Sequence, residues 1–309
     1  MRALITGATG YIGSALARHL HAAGWEVHAL LRASSDPAAL TASIDQIDCH
    51  RLNESEDGGA VALVERLRPD GVFHLASHIQ PGHVASDIRP MLESNVGLGV
   101  ALLEGLSRIN ADRQGAPSVL VAAGTYWAYN AHGENAPNSL YAASKRAFEA
   151  FLPFYAAHCD VPCCSLLLYD VYGLHDPRGK LIPALVDSVL SPEADTLAMS
   201  PGEQLLDLVY LDDVVQGFIV AAEGLRSGRI DAGRYRLDSG ERVSLKDLVA
   251  VLTEVAGRAP AVAFGARPYP GNQIMVPLEA GPRLPGWAPV VSLAQGLQTL
   301  LSADPEASS

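Results

Sequence analysis

The chain lacks a basic run, a long apolar run and a cysteine framework, and each absence removes a class of function. Only 18% of its 309 residues are charged, and 22 Lys and Arg stand against 34 Asp and Glu, for a formal net charge of -12. Phosphate backbones and anionic lipid repel such a chain, so neither nucleic acid nor a membrane is an expected partner. No apolar stretch approaches the ~20 residues that a membrane helix needs. MRALITG enters a strand at once instead of building a charged, apolar and cleavable leader, so a cytoplasmic protein is expected. The four cysteines, Cys49, Cys159, Cys163 and Cys164, match no common zinc spacing, and an adjacent pair rarely bridges. They read as buried, reduced thiols.

What is present is apolar material in a regular rhythm. Hydrophobic residues make up 49% of the chain, enough for a sizeable core. Ala3–Thr6, Glu26–Leu31, Ile47–Leu52, Gly71–Leu75, Ser118–Ala122 and Pro162–Leu168 read as buried parallel strands. Amphipathic stretches at 11–23, 58–68, 88–109 and 140–159 separate them. This predicts an α/β fold, a Rossmann-type doubly wound parallel sheet, with a smaller C-terminal substrate-binding lobe. Residues 1–168 are assigned to the dinucleotide-binding domain and 169–309 mainly to the lobe, with the chain free to return to the sheet. In that second part helices are expected at 181–190, 212–224, 244–256 and 292–301, and extended segments at 205–211 and 233–237.

Thr6-Gly-Ala-Thr-Gly-Tyr-Ile-Gly13 joins the first strand to the first helix. Gly7 permits the tight turn, Gly10 lets backbone approach a pyrophosphate, and Gly13 allows close helix packing, with the helix N-terminus facing the phosphates. The second strand ends in Leu31-Arg32-Ala33-Ser34-Ser35, where an NAD site would place an acid for the ribose hydroxyl. Arg32, Ser34 and Ser35 suit a 2′-phosphate instead, so the expected cofactor is NADP(H).

Tyr141 and Lys145, in SLYAASKRAFE, are spaced to share one helix face. A free phenol is a poor acid at neutral pH. An ammonium one turn away is expected to lower its pKa and to hold the nicotinamide ribose. His74, His78 and His83 cluster after the fourth strand, but no acidic or Cys ligand completes a set, and no metal is expected.

Taken in order, TGATGYIG, FHLAS (Phe73–Ser77), Asn95, YAASK and VYLDD (Val209–Asp213) make the chain resemble the extended short-chain dehydrogenase/reductase family of epimerases, dehydratases and ketoreductases. The likeness runs over essentially the whole length. It implies that Thr125 hydrogen-bonds the substrate carbonyl and that Asn95 supports a proton-relay water. It also implies cofactor contacts from Thr9, Tyr11, Ile12, Leu52, Asn53, Leu75, Ala76, Ser77 and Tyr169. The 4,6-dehydratases carry Asp and Glu directly after that Thr; Tyr126 and Trp127 stand here and cannot do their work. GTYWAYN, LYDVYGLHDPRGKLIPAL, SPGEQLLDLVYLDDV and LPGWAP resemble CDP-paratose and CDP-abequose synthase-type reductases of 4-keto-6-deoxyhexoses. Leu167 and Leu206 depart from the wider family, where Arg is common.

The expected activity is therefore NADPH-dependent reduction of a nucleotide-linked 4-keto sugar. His78, Gln80, Tyr126, Trp127 and Asp170 are expected around the sugar, and Arg178, Lys180, Arg267 and Arg283 are candidates for its diphosphate. A 4-epimerase with bound NAD, and a non-catalytic NADP sensor, are the alternatives. The family also implies a homodimer, formed by helices near 91–109 and 140–159.

Overall fold

Uninterrupted apolar runs cannot alternate between solvent and core, so they are buried on both faces, as parallel strands are. The computed structural model, which describes residues 1–44, 47–52, 59–80, 82–129, 136–191, 193 and 195–303, shows this directly. Strands β1 (Arg2–Thr6), β2 (Glu26–Leu31), β3 (Ile47–Arg51), β4 (Gly71–His74), β5 (Val119–Thr125) and β6 (Cys163–Leu168) join one parallel sheet. Its order is Gly233–Leu237, β6, β5, β4, β1, β2, β3. The chain runs outward from β1 through β2 to β3, then crosses back to β4 on the other side of β1. That reversal opens a crevice at the carboxyl ends of β1 and β4, where ligands bind in open sheets.

Two apolar layers cover the sheet. On one face the helices Tyr11–Ala22 and Leu211–Arg226 pack through Leu16, Leu20, Val214 and Phe218. On the other, Gly59–Leu67 and Leu98–Asn110 pack through Leu63, Val64, Leu102 and Leu106. A separate cluster around Tyr172, Leu185, Met199, Leu248 and Leu297 holds the later helices together.

Several expectations need adjustment. The 88–109 stretch is not one helix. Pro90 lies in its first segment, Ile88–Leu92, and a π-turn over Glu93–Gly97 follows before Leu98–Asn110. The 140–159 stretch divides into Leu140–Glu149 and Leu152–His158, with Pro153 in the first turn of the second. Residues 205–211 break at Asp207, whose buried carboxylate accepts from the Ser239 N–H at 2.7 Å. The short helix Ala38–Ser43 had no clear periodic signal. Gly233–Leu237 pairs with β6, so the chain does return to the sheet after residue 169.

Candidate active site

The glycine loop sits at the mouth of the crevice. Gly7 has a φ of +72°, and a Cβ there would lie 2.7 Å from the Ala76 nitrogen. A Cβ on Gly13 would lie 2.1 Å from the Gly7 carbonyl oxygen, so the helix can start this close only without a side chain. No side chain caps the helix Tyr11–Ala22. Its first N–H groups are left for an outside acceptor, and the helix end favours an anion. The Tyr11 hydroxyl is buried with no hydrogen-bond partner among the described residues. These features fit a dinucleotide pyrophosphate.

The cavity above holds about 1200 Å³ and is lined along one side by Gly7, Thr9, Gly10, Tyr11, Ile12, Gly13, Leu52, Leu75, Ala76 and Ser77. Arg32, Ser34 and Ser35 line its far end. There Arg51 donates to the carbonyls of Arg32 and Ala33 at 3.1 and 2.7 Å, bracing the turn. Tyr169 also lines the cavity, its hydroxyl donating to the Leu278 carbonyl. Asn53 lies outside the described residues.

Thr125, Tyr141 and Lys145 line the same cavity. Thr125 ends β5, and Ser139 caps the helix that carries the other two by accepting from the Ala142 N–H at 3.2 Å. The Tyr141 hydroxyl lies beside the Ser77 and Thr125 hydroxyls in that cavity. Burial raises its pKa to about 12 against the lowering pull of those two hydroxyls. Lys145 does not pull the phenol down, contrary to the sequence expectation. Its own pKa falls to about 8 because its ammonium is buried, with Glu149 opposing that fall. Burial outweighs charge proximity here, and the phenol stays protonated at neutral pH.

Asn95 lies in the π-turn, fully buried. Its Oδ1 accepts from the Ser77 hydroxyl at 3.1 Å and the His78 N–H at 2.7 Å. Its Nδ2 donates to the His78 carbonyl at 3.2 Å and to Ser144 Oγ at 2.9 Å. Two donors and two lone pairs are all an amide has, so protein fills them. This corrects the expected water-relay role: Asn95 ties the loop after β4 to the helix of Tyr141.

Glu149, unnoticed in the sequence, sits one turn beyond Lys145 and is buried. It accepts from the Tyr129 hydroxyl at 2.5 Å and from Ser165 Oγ at 2.9 Å, with Arg234 at 3.8 Å. Its spacing from Lys145 was a readable signal. The buried partners were not. His74 bonds Thr6 Oγ1 through Nδ1 at 2.9 Å, and burial with the Lys145 charge lowers its pKa to about 3. It is a neutral strand-end residue rather than a ligand in a histidine cluster.

On the outer side, His78, Tyr126, Trp127, Asp170, Arg178 and Lys180 line the cavity. Tyr126 stacks on Tyr169 with centroids 4.9 Å apart and donates to Asp170 Oδ2 at 3.3 Å. Burial raises the Asp170 pKa to about 6. Three expected contacts are not brought here. Gln80 is exposed outside the cavity. Arg283 is spent on Asp238, with nitrogens at 3.0 and 2.9 Å. Arg267 is exposed beyond the lining, its backbone N–H bonded to Met199. Arg178 reaches the cavity already forked onto Asp176 at 2.6 Å and stacked over Tyr11. Of the four cations, Lys180 alone lines the cavity with no ion pair among the described residues.

Among the described residues no helix is long and apolar enough to cross a membrane. The model of the NAD dependent epimerase/dehydratase family matches residues 3–233. The chain is 28% identical over 280 residues to a CDP-abequose synthase of Yersinia pseudotuberculosis, covering 90% of this chain and 92% of that one. It is 28% identical over 308 residues to a UDP-glucose 4-epimerase of Mycolicibacterium smegmatis, covering 96% of each. A solved UDP-glucose 4-epimerase from Thermotoga maritima has a TM-score of 0.80 at 21% identity, covering 97% of both chains. At that identity the likeness is one of fold.

Proposed function

Because this chain belongs to the NAD dependent epimerase/dehydratase family, we propose that it reduces the C4 ketone of a nucleotide-linked 4-keto-6-deoxyhexose with NADPH. One observation carries the reading. The Tyr141 phenol lines the cavity beside Ser77 and Thr125 and is kept protonated by burial, ready to give its proton to an alkoxide. Bound NADPH supplies the hydride. Thr125 would orient the carbonyl, Tyr141 would protonate its oxygen as charge develops, and Lys145 would hold the ribose with its ammonium. Donors already fixed in place stabilise that charge without reorganising.

The likeness to CDP-abequose synthase supports a deoxysugar substrate, and Tyr126–Trp127 in place of an acid–base pair disfavours dehydration. Arg32 at the cavity end supports NADPH over NADH. A homodimer fits the exposed Leu92 and Phe154 on the helices expected to pair. Incubation with a panel of NDP-4-keto-6-deoxyhexoses and NADPH tests the reading. Wild type should oxidise NADPH and yield the 4-hydroxy sugar, while Tyr141→Phe binds NADPH and turns over nothing. Retained activity in Tyr141→Phe would sink the assignment.

The similarity to UDP-glucose 4-epimerase favours a second reading, an epimerase holding NAD. Such a protein would purify with nicotinamide absorbance and need no added reductant.

A further inference from the structure

We propose that Arg51, at the end of β3, is a positioning residue that makes the cofactor site select NADPH over NADH. The inference rests on the NADPH reading above and adds a second arginine to it. Arg51 itself does not line the cavity; it holds the turn that does.

β3 is the edge strand of the sheet and pairs with β2 to its last residue, Arg51 beside Leu31. The Leu52 N–H then donates to the Leu31 carbonyl at 3.1 Å, so the pairing runs right up to the turn. That turn, Arg32 to Ser35, lines the far end of the cavity. The Ser35 N–H closes it on the Arg32 carbonyl at 3.0 Å. One Nη of Arg51 reaches across and donates to the carbonyls of Arg32 and Ala33, at 3.1 and 2.7 Å.

The charge of those contacts decides what the turn can receive. A carbonyl oxygen is partly negative, and two of them left bare beside a phosphate dianion would oppose it. On Arg51 both meet a full positive charge, in bonds about twice as strong as neutral ones. The backbone that carries the Arg32, Ser34 and Ser35 side chains is fixed by the same bonds.

The charge balance agrees. The chain has a net charge of -12, yet neither Arg32 nor Arg51 forms an ion pair among the described residues. Asp36, just past the turn, accepts from the Ala38 N–H at 2.9 Å and pairs with neither. Arg51 spends one nitrogen on carbonyls and none on a carboxylate, so its charge stays uncompensated. Two such cations at one end of a cavity favour an anion there. The 2′-phosphate is the anion that NADPH has and NADH lacks.

The test is fluorescence titration of NADPH and NADH into full-length wild type, Arg51→Gln, Arg51→Lys and Arg32→Glu. Arg51→Gln should weaken NADPH about 10-fold, the scale of a lost charged hydrogen bond, and leave NADH within about twofold. The retained NADH affinity also checks the fold. One nitrogen makes both bonds, so the ammonium in Arg51→Lys can replace it and should keep NADPH within about threefold of wild type. Added salt should weaken NADPH less steeply in Arg51→Gln, since one charge has gone. The proposal is overturned if Arg51→Gln weakens both nucleotides equally, or if Arg51→Lys is as poor as Arg51→Gln. A wild-type preference for NADPH kept intact in Arg51→Gln overturns this inference alone. No preference in wild type, with no effect of Arg32→Glu, overturns the NADPH reading itself.

Discussion

Asn95 donates to Ser144 Oγ at 2.9 Å, and Ser144 passes a hydrogen bond to the Tyr141 carbonyl at 2.7 Å. Two segments far apart in sequence are thereby joined at the helix that carries Tyr141, the proposed proton donor. The amide also bonds both backbone groups of His78, so it ties the cavity wall to the helix of Tyr141.

Asn95→Ala should therefore damage fold and catalysis together. Four partner groups, one buried and three half-buried, lose their complement, which should cost about 2–4 kcal/mol of stability. Thermal melts and kcat should both fall. If the variant melts like wild type with full kcat, Asn95 does not position the helix.

The charge on Lys145 should set an alkaline limit on activity. Its folded pKa of about 8 lies below the ordinary 10.5, so raising pH through 8 discharges it in the folded protein first. kcat/KM should decline above about pH 8 while Tyr141 remains protonated. Stability responds in the opposite sense. The unfolded chain binds more protons between about 8 and 10.5, so this group makes stability rise with pH across that window. A pH–rate profile and melts from pH 7 to 10 read both effects. A flat kcat/KM to pH 10 would contradict the role given to Lys145.

Glu149 supports the ammonium electrostatically, raising a pKa that burial lowers. Glu149→Gln should move the alkaline limb to lower pH and cost about 1–3 kcal/mol through the disturbed Tyr129 and Ser165 bonds. A variant that loses stability but keeps the wild-type limb would mark Glu149 as structural alone.

Arg32 faces the cavity end where a 2′-phosphate would lie. Arg32→Glu should weaken NADPH roughly 10- to 100-fold, the equivalent of a lost charged hydrogen bond, with little effect on NADH. Equal losses for both nucleotides, measured by fluorescence titration, would show that Arg32 does not read the phosphate.

Much of this protein is legible along the chain, because parallel strands bury both faces and leave apolar runs that need no partner to be recognised. Glu26–Leu31 and Leu181–Leu190 end where the pattern ends. TGATGYIG and the Tyr141–Lys145 spacing carry their chemistry in residue type and interval. Two breaks were masked because amphipathic periodicity continues across the π-turn at Asn95 and across residues 150–151.

The sequence by itself determined the sheet, the glycine loop and the placing of Tyr141 and Lys145 one turn apart on a helix, since each follows from local sterics or short-range spacing. Tertiary structure decided protonation and partnership. Only burial could show that Tyr141 is held as an acid rather than loosened by Lys145, and only packing could give Asn95 four protein partners. Arg283 could be removed from the substrate site only once Asp238 stood beside it, because a free cation and a paired one read alike in sequence. Charge and hydrogen bonding depend on what lies within a few ångströms, and the fold alone sets those neighbours.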